Sequence, residues 1–406
     1  MSGSTVVIGA PWDNDHGGNS GSAYIFDAMS GEQRFKLNAN DTALDDEFGI
    51  SVAVGGAFTV VGARHNDENG NEAGAAYLFN TDTGKQLSKI LPLDSGTVVD
   101  HFGRSVAIDG HTVVVGASHQ FGAFSIGAAY VFDARTGQQS VKLSPDDNEV
   151  ADRFGNAVSI YSQTAIVGSA YDSDNGSESG SAYLFDTATG EMLFKLLPED
   201  GDAGDLFGIS VDIDGSFAVV GAVRDSDSGS TVGSAYIFDV LSGQQLFKLL
   251  PDIGEHNDSF GGSVAISGNI VVVSASGDDD LGTNAGSAYL FDLRTGVQIE
   301  KIHSTDIASG DLFGTAVRAS NIGIVVSAPF DDTVREDSGS AYLFMFPQCA
   351  ADLNNDGTVD TADLGLLISQ FGIIGSAHDI NGDGVIDTAD LGILISEFGT
   401  PCPGAP

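Results

Sequence analysis

The sequence predicts an all-β, seven-bladed β-propeller of 53-residue blades, the seventh incomplete, followed by a small α-helical module of two loop–helix repeats. Three observations predict it. A tyrosine in an "AYxF" phrase returns at a constant step of 53 residues, as Tyr24, Tyr77, Tyr130, Tyr183, Tyr236, Tyr289 and Tyr342. Between these tyrosines, β-branched and aromatic runs alternate with Gly/Asp/Ser clusters and show no helical period, which is the pattern of short strands joined by turns. After Phe346 the composition changes, and a different unit is echoed 27 residues later.

Within each 53-residue unit four strands follow in order. The first is an apolar run ending in Gly or Ser and then usually Ala, as in "TVVVGA". After an Asp/Gly/Ser loop comes the "GSAYLFD" strand. A turn carrying Gly31, Gly84, Gly137, Gly190, Gly243 or Gly296 leads to the third, "MLFKLL", whose Lys36, Lys89, Lys142, Lys195, Lys248 and Lys301 keep the same register. A second polar loop precedes the fourth, "FGISVDI". The strands are apolar on nearly every residue, so both faces should be covered. Blades stacked around an axis cover both, and a unit of this length suits a blade. A β-solenoid is the structural alternative, although its coils are usually shorter than four strands.

The "FG" pairs beginning at Phe48, Phe102, Phe154, Phe207, Phe260 and Phe313, each followed by a strand and then "VVGA" or "VSAP", resemble FG-GAP repeats, the units of the integrin α-subunit propeller. The resemblance covers roughly 1–346. It implies a "GAP" strand innermost and an "FG" strand outermost, so that blades one to six are complete and blade seven keeps only two strands. It also implies calcium in loops between the first two strands. The candidates are Asp13 and Asp15 in blade one, Asp172 and Asp174 in blade four, Asp225 and Asp227 in blade five, and Asp278 and Asp280 in blade six. Calcium wants six to eight oxygens on a tight turn; the alternative is that these acids close Asx-type turns. Trp12, Tyr171 and Phe330 occupy equivalent positions beside these loops and could form a stacking platform for a ligand or sugar, or simply cover the blade edges.

Beyond Phe346, "DLNNDGTVDTADLGLLISQFG" (352–372) and "DINGDGVIDTADLGILISEFG" (379–399) both start with a twelve-residue EF-hand-type loop. Loop positions 1, 3, 5, 7, 9 and 12 are Asp352, Asn354, Asp356, Thr358, Asp360 and Asp363 in the first copy. In the second they are Asp379, Asn381, Asp383, Val385, Asp387 and Asp390, with position 7 offering a backbone carbonyl. Leu364, Leu367, Ile368 and Phe371, and then Leu391, Leu394, Ile395 and Phe398, give each following helix an apolar stripe, so the two should pack together. A pair of loop–helix repeats without the entering helix resembles a type I dockerin over about 349–402. The resemblance implies two bound Ca2+ ions and a cohesin-like partner, met through loop positions 10 and 11. Those are Thr361-Ala362 and Thr388-Ala389, identical in both copies, which would permit binding in either of two orientations. Family members often carry Lys or Arg on the helices, yet residues 347–406 have neither, so the partner would be met through apolar and hydroxyl contacts. Cys349 and Cys402 bracket the module; a bridge would close about 54 residues, worth roughly 4 kcal/mol in the loop-entropy model, and free thiols are the alternative. The chain thus divides into a propeller over 1–346 and a dockerin over 347–406.

A formal net charge of −41 argues against nucleic-acid binding, because phosphate contacts need Lys and Arg. No apolar run approaches a membrane span. There is no HExxH, no nucleophile elbow and no phosphate-binding glycine loop, and the expectation is a protein without catalytic residues. Two functional readings follow. One is a secreted interaction or adhesion protein at the cell surface or outside the cell, its propeller binding a protein or glycan and its dockerin anchoring it. The other is an accessory or catalytic component of an extracellular polysaccharide-degrading assembly. The opening "MSGSTVVIGAPWDND" enters a blade strand with no "FGxSVA" strand before it. The expectation is therefore a truncated start, with a closing strand and secretion signal upstream and a weakly held seam between blades seven and one.

Overall fold

The computed structural model describes residues 1–94, 100–118, 127–147, 152–226, 231–333, 338–346, 351–354, 358–373, 378–381 and 384–399. Its 26 strands form seven antiparallel sheets, and two short helices follow them. In blade two the sheet runs Phe48–Gly55, Phe58–Ala63, Ala75–Asn80, Gln86–Ile90, each strand paired with the next.

This sheet order corrects the expected blade division. The FG strand pairs with the GA strand that follows it, not with the strand before it. The FG strands Phe102–Asp109, Val158–Tyr161, Phe207–Asp214 and Phe260–Ser267 lie beside one another from sheet to sheet. They therefore form the inner edge of the ring, and the "FKL" strands form the outer edge. Blades two to six have four strands. Blade one has three (Thr5–Ala10, Ser22–Asp27, Gln33–Leu37), and so has blade seven (Val317–Ser320, Gly323–Ala328, Ser340–Met345).

The FG pair does two jobs at once. Its phenylalanine packs edge-on against the tyrosine and phenylalanine of its own sheet, as Phe48 does on Tyr77 and Phe79 at 5.5 and 5.9 Å. Its glycine takes φ between 85° and 95°, which a side chain resists. That turns its carbonyl onto the glycine of the "GA" strand in the preceding blade; a Cβ on Gly62 would fall 1.9 Å from the oxygen of Gly103. Sheets approach this closely only because both positions lack a side chain. Parallel bridges such as Gly74 to Phe102 and Gly180 to Phe207 then stitch each blade to the next.

Apolar layers fill every junction. Val7, Ile25 and Leu37 of blade one pack with Val61, Tyr77 and Phe79 of blade two, and comparable layers follow to blade seven. The ring closes where Val6, Ala28 and Val325 meet, with Met1, Ile8, Phe26, Ile322 and Leu343 packed against them. This layer is thinner than the others, and the strand Ser340–Met345 is only half-buried where its equivalents are buried.

In the C-terminal module, α1 (Thr361–Ser369) and α2 (Thr388–Glu397) each start from a capping box, Asp360 with Asp363 and Asp387 with Asp390. The core is Ala351, Val359, Leu367, Ile386 and Leu394, flanked by Leu353, Leu364, Ile380 and Leu391. The stripes divide: Ile368, Phe371, Ile395 and Phe398 are exposed rather than packed between the helices. Helices this short turn only one residue per turn into so small a core, and a wider stripe must face outward.

Candidate functional site

The propeller loops converge on one construction. In blades one, four and six the first loop acid accepts the N–H two residues on, closing an Asx turn: Asp13 from Asp15 at 3.0 Å, Asp172 from Asp174 at 2.9 Å, Asp278 from Asp280 at 3.1 Å. Its other oxygen, like one of Asp225 in blade five, takes the hydroxyl of the repeat tyrosine, Tyr24, Tyr183, Tyr236 or Tyr289, at 2.6–2.8 Å. The repeat lysine then comes in from the outer strand. Lys36 stands 2.8 Å from Asp13 and 2.5 Å from Asp15, and Lys195 stands 3.0 Å from Asp172 and 2.5 Å from Asp174. Lys248 meets Asp225 at 2.9 Å, and Lys301 meets Asp278 and Asp280 at 2.6 Å each. Each ammonium also lies 5.2–5.4 Å from the tyrosine ring.

A third carboxylate reaches in from the loop after the preceding blade. Asp41, Asp94, Asp147 and Asp200 pair with Lys89, Lys142, Lys195 and Lys248 at 2.5–2.7 Å. Asp147, Asp172 and Asp174 thus converge as metal ligands would, but the ammonium of Lys195 is bonded to all three. Burial pushes Asp172 up, yet the Asp174 N–H, the Tyr183 hydroxyl and Lys195 outweigh it and hold the carboxyl below its ordinary range. Sequence reading found the lysine and tyrosine registers without joining them to the acids. The step of 53 linking Asp41, Asp94, Asp147 and Asp200 was the available signal. Asp227 lies outside the described residues.

Of the three rim aromatics, Trp12 and Phe330 meet across the closing seam with ring centres 5.8 Å apart. Tyr171 does not join them; the guanidinium of Arg153 covers its ring at 3.7 Å.

The C-terminal loops are built differently. Asp363 and Asp390 are fully buried. Asp363 accepts the N–H groups of Leu353, Asn354 and Asp360 at 2.8–3.0 Å, and Asp390 those of Ile380, Asn381 and Asp387 at 2.8–3.1 Å. Asp360 and Asp387 accept Ala362 N–H and Ala389 N–H at 2.7 Å, fixing the helix starts. Asp379 accepts from Gly384 at 2.6 Å, which curls the second loop around its centre. The two copies lock reciprocally: Gly399 donates to Val359 at 2.8 Å, and Gly372 to Ile386 at 2.7 Å. Each loop's eighth residue is therefore tied to the end of the other copy's helix.

These donors fit calcium. They are carboxylates and amide or backbone oxygens on a tight loop, the hard-oxygen set that Ca2+ takes. Residues 347–406 contain no Lys or Arg, so buried Asp363 and Asp390 have no cation of the module's own, in contrast to the propeller acids. Asp352, Asn354, Thr358, Asp360 and Asp363 would hold one ion, with Asp379, Asn381, Val385, Asp387 and Asp390 holding the other. Asp356 and Asp383 lie outside the described residues, as do Cys349 and Cys402. Outward on the helices stand Thr361, Ala362, Gly365 and Ile368, matched by Thr388, Ala389, Gly392 and Ile395, all exposed.

Comparison with known families matches the FG-GAP repeat at residues 1–26, 32–79, 85–132, 138–185, 193–238, 244–291 and 297–344. The dockerin type I domain matches at 350–399. No curated protein matches the chain. No helix among the described residues is long and apolar enough to cross a membrane.

Proposed function

The chain belongs to the FG-GAP repeat family, and on that premise we propose that it is a secreted, non-catalytic interaction protein, held by its dockerin on a cohesin-bearing partner while its propeller binds a protein or glycan. The observation that carries the reading is the contrast between the two sets of acids. In the propeller the candidate acids Asp13, Asp15, Asp172, Asp174, Asp225, Asp278 and Asp280 are all paired with the repeat lysine of their blade. In the dockerin the buried acids have none, and two Ca2+ ions supply the missing charge.

The ions would act as structural staples. A module whose core, among the described residues, is five buried side chains has little apolar area to set against chain entropy. Ligation free energy then becomes folding free energy, and the helices present their outward faces only in the loaded state. The two faces carry the same residues in the same order, and the reciprocal Gly399–Val359 and Gly372–Ile386 bonds relate them by near-symmetry. A cohesin can therefore dock on either. The contact would be small, apolar and hydroxyl-rich.

The non-catalytic reading draws support from the propeller loops. A glycosidase needs two carboxylates about 5–10 Å apart with distinct protonation states. Here Asp172 and Asp174 share one ammonium, and so do Asp278 and Asp280, which leaves neither pair free to shuttle a proton.

The reading is tested by chelation and by glycan screening on one protein preparation. Chelator should unfold the C-terminal module first and leave the propeller standing, seen as two separate thermal transitions of which one is calcium-dependent. A single transition lost as a whole would contradict it. Hydrolysis of a glycan abolished by one Asp substitution would overturn the non-catalytic assignment.

A further inference from the structure

We propose that His65, Glu72 and His101 form a binding site for one divalent transition-metal ion of the Zn2+ class, clamping blade two to blade three. His65 and Glu72 stand at the start and end of the loop joining the second and third strands of blade two. His101 immediately precedes the inner strand of blade three. One ring nitrogen from each histidine and one Glu72 oxygen lie within 4.8 Å of one another. His101 Nε2 is 3.2 Å from Glu72 Oε2. Two ligands on a tetrahedral ion at about 2.0–2.1 Å stand roughly 3.3 Å apart, so this pair already has the separation a shared metal imposes. The two imidazoles have ring centres 5.1 Å apart and planes at 61°, and His65 is the more exposed of the two.

The donor set is chemically selective. Two imidazoles and one carboxylate suit Zn2+ and its first-row neighbours, and they do not suit calcium, which prefers oxygen alone. A fourth position would remain for water, Glu72 being half-exposed. The surroundings supply an outer shell. Glu47 lies 3.5 Å from His65 Nδ1 and is itself held by Arg64 at 2.6 Å, so a carboxylate backs one ligand histidine as in many metal sites. That ion pair also offsets the charge of Arg64. Backbone anchoring is strong: His101 N–H donates to Glu72 O at 3.2 Å, and His65 N–H to Asp46 O at 3.3 Å.

The cluster breaks the repeat. Equivalent positions at the junction of blades one and two carry Trp12, Asn19 and Glu47; at that of blades four and five they carry Tyr171, Glu178 and Leu206. Neither trio contains an imidazole. Among the described residues the acids Asp147, Asp172 and Asp174 form the other convergent group, but Lys195 already stands among them.

The test uses the full chain saturated with Ca2+, so that the dockerin loops are filled, titrated with Co2+ and then with Zn2+. The expected result is one Co2+ per chain with a visible ligand-field band, displaced by one equivalent of Zn2+. His101→Ala and Glu72→Gln should each weaken binding at least tenfold. If His101→Ala does not fold, Glu72→Gln and His65→Gln decide, since both side chains are partly exposed. No saturable band, or affinity unchanged in both of those variants, would overturn the proposal.

Discussion

The ammonium of Lys195 lies 3.0 Å from the buried carboxylate of Asp172, and the same pairing recurs between Lys36 and Asp13, Lys248 and Asp225, and Lys301 and Asp278. In each of these four blades a lysine from the outer strand stands where a loop cation would. Lys195→Met should therefore leave Asp172, with 4% of its side chain exposed, without its cation. Removing one partner of a buried pair costs about 3–5 kcal/mol, and the partial exposure of Lys195 brings the expectation to roughly 2–3 kcal/mol. Lys142→Met should cost under about 1 kcal/mol, because Lys142 and Asp94 are both nearly half-exposed. Urea denaturation of the two variants checks the order. Added Ca2+ should restore part of the stability of Lys195→Met while leaving the native propeller unchanged.

Proton binding at Asp13 gives a second check. Burial would raise its pKa, but Lys36, the Asp15 N–H and the Tyr24 hydroxyl outweigh burial and hold it at about 2. The folded value is depressed, so the group's contribution is fully present above the unfolded value near 3.9 and is lost as pH falls through about 2. Carboxyl titration followed by NMR should place the Asp13 midpoint near 2. Lys36→Met should move it upward and narrow the acid-sensitive window between about pH 4 and 2.

Close approach of adjacent sheets rests on paired glycines. A Cβ on Gly221 would sit 2.0 Å from the carbonyl oxygen of Gly261 in the next blade. Gly221→Ala should destabilise the propeller by at least about 2 kcal/mol, through backbone displacement at a packed junction. Gly215→Ala is the contrast. That glycine has φ of 58° but nothing within 4 Å of a Cβ, so only the strain of about 1–2 kcal/mol applies. Thermal midpoints of the two variants separate crowding from strain.

Much of this architecture was legible because the repeat is strict. Tyr24 through Tyr342 fixed the blade number, and the FG and GA phrases marked two strands of every blade, but the FG strand, expected outermost, lies at the inner edge. What the period could not reveal was where one sheet ends. A step of 53 is the same wherever the unit is cut, and only strand pairing shows that Phe48 joins Phe58–Ala63 rather than Gln33–Leu37. The loop acids were found for the same reason, but their partners were not. Lys195 and Asp147 are 48 residues apart and belong to different blades, so no local motif joins them. His65 and His101 are likewise united only by the packing of two sheets. In the dockerin the twelve-residue loops were plain in sequence, whereas the outward turn of Ile368 and Ile395 depended on the size of the core.

The central claim is that the dockerin presents two equivalent, calcium-shaped faces to a cohesin. Its most direct test is the affinity of a type I cohesin for four forms of the chain in Ca2+, measured by calorimetry. These are the native protein, Thr361→Arg with Ala362→Arg, Thr388→Arg with Ala389→Arg, and all four substitutions together. Each single-face variant should bind within a few-fold of the native chain. The combined variant should lose binding, and chelator should abolish binding in all. Loss of binding from one face alone, or native affinity that survives chelation, would contradict the account.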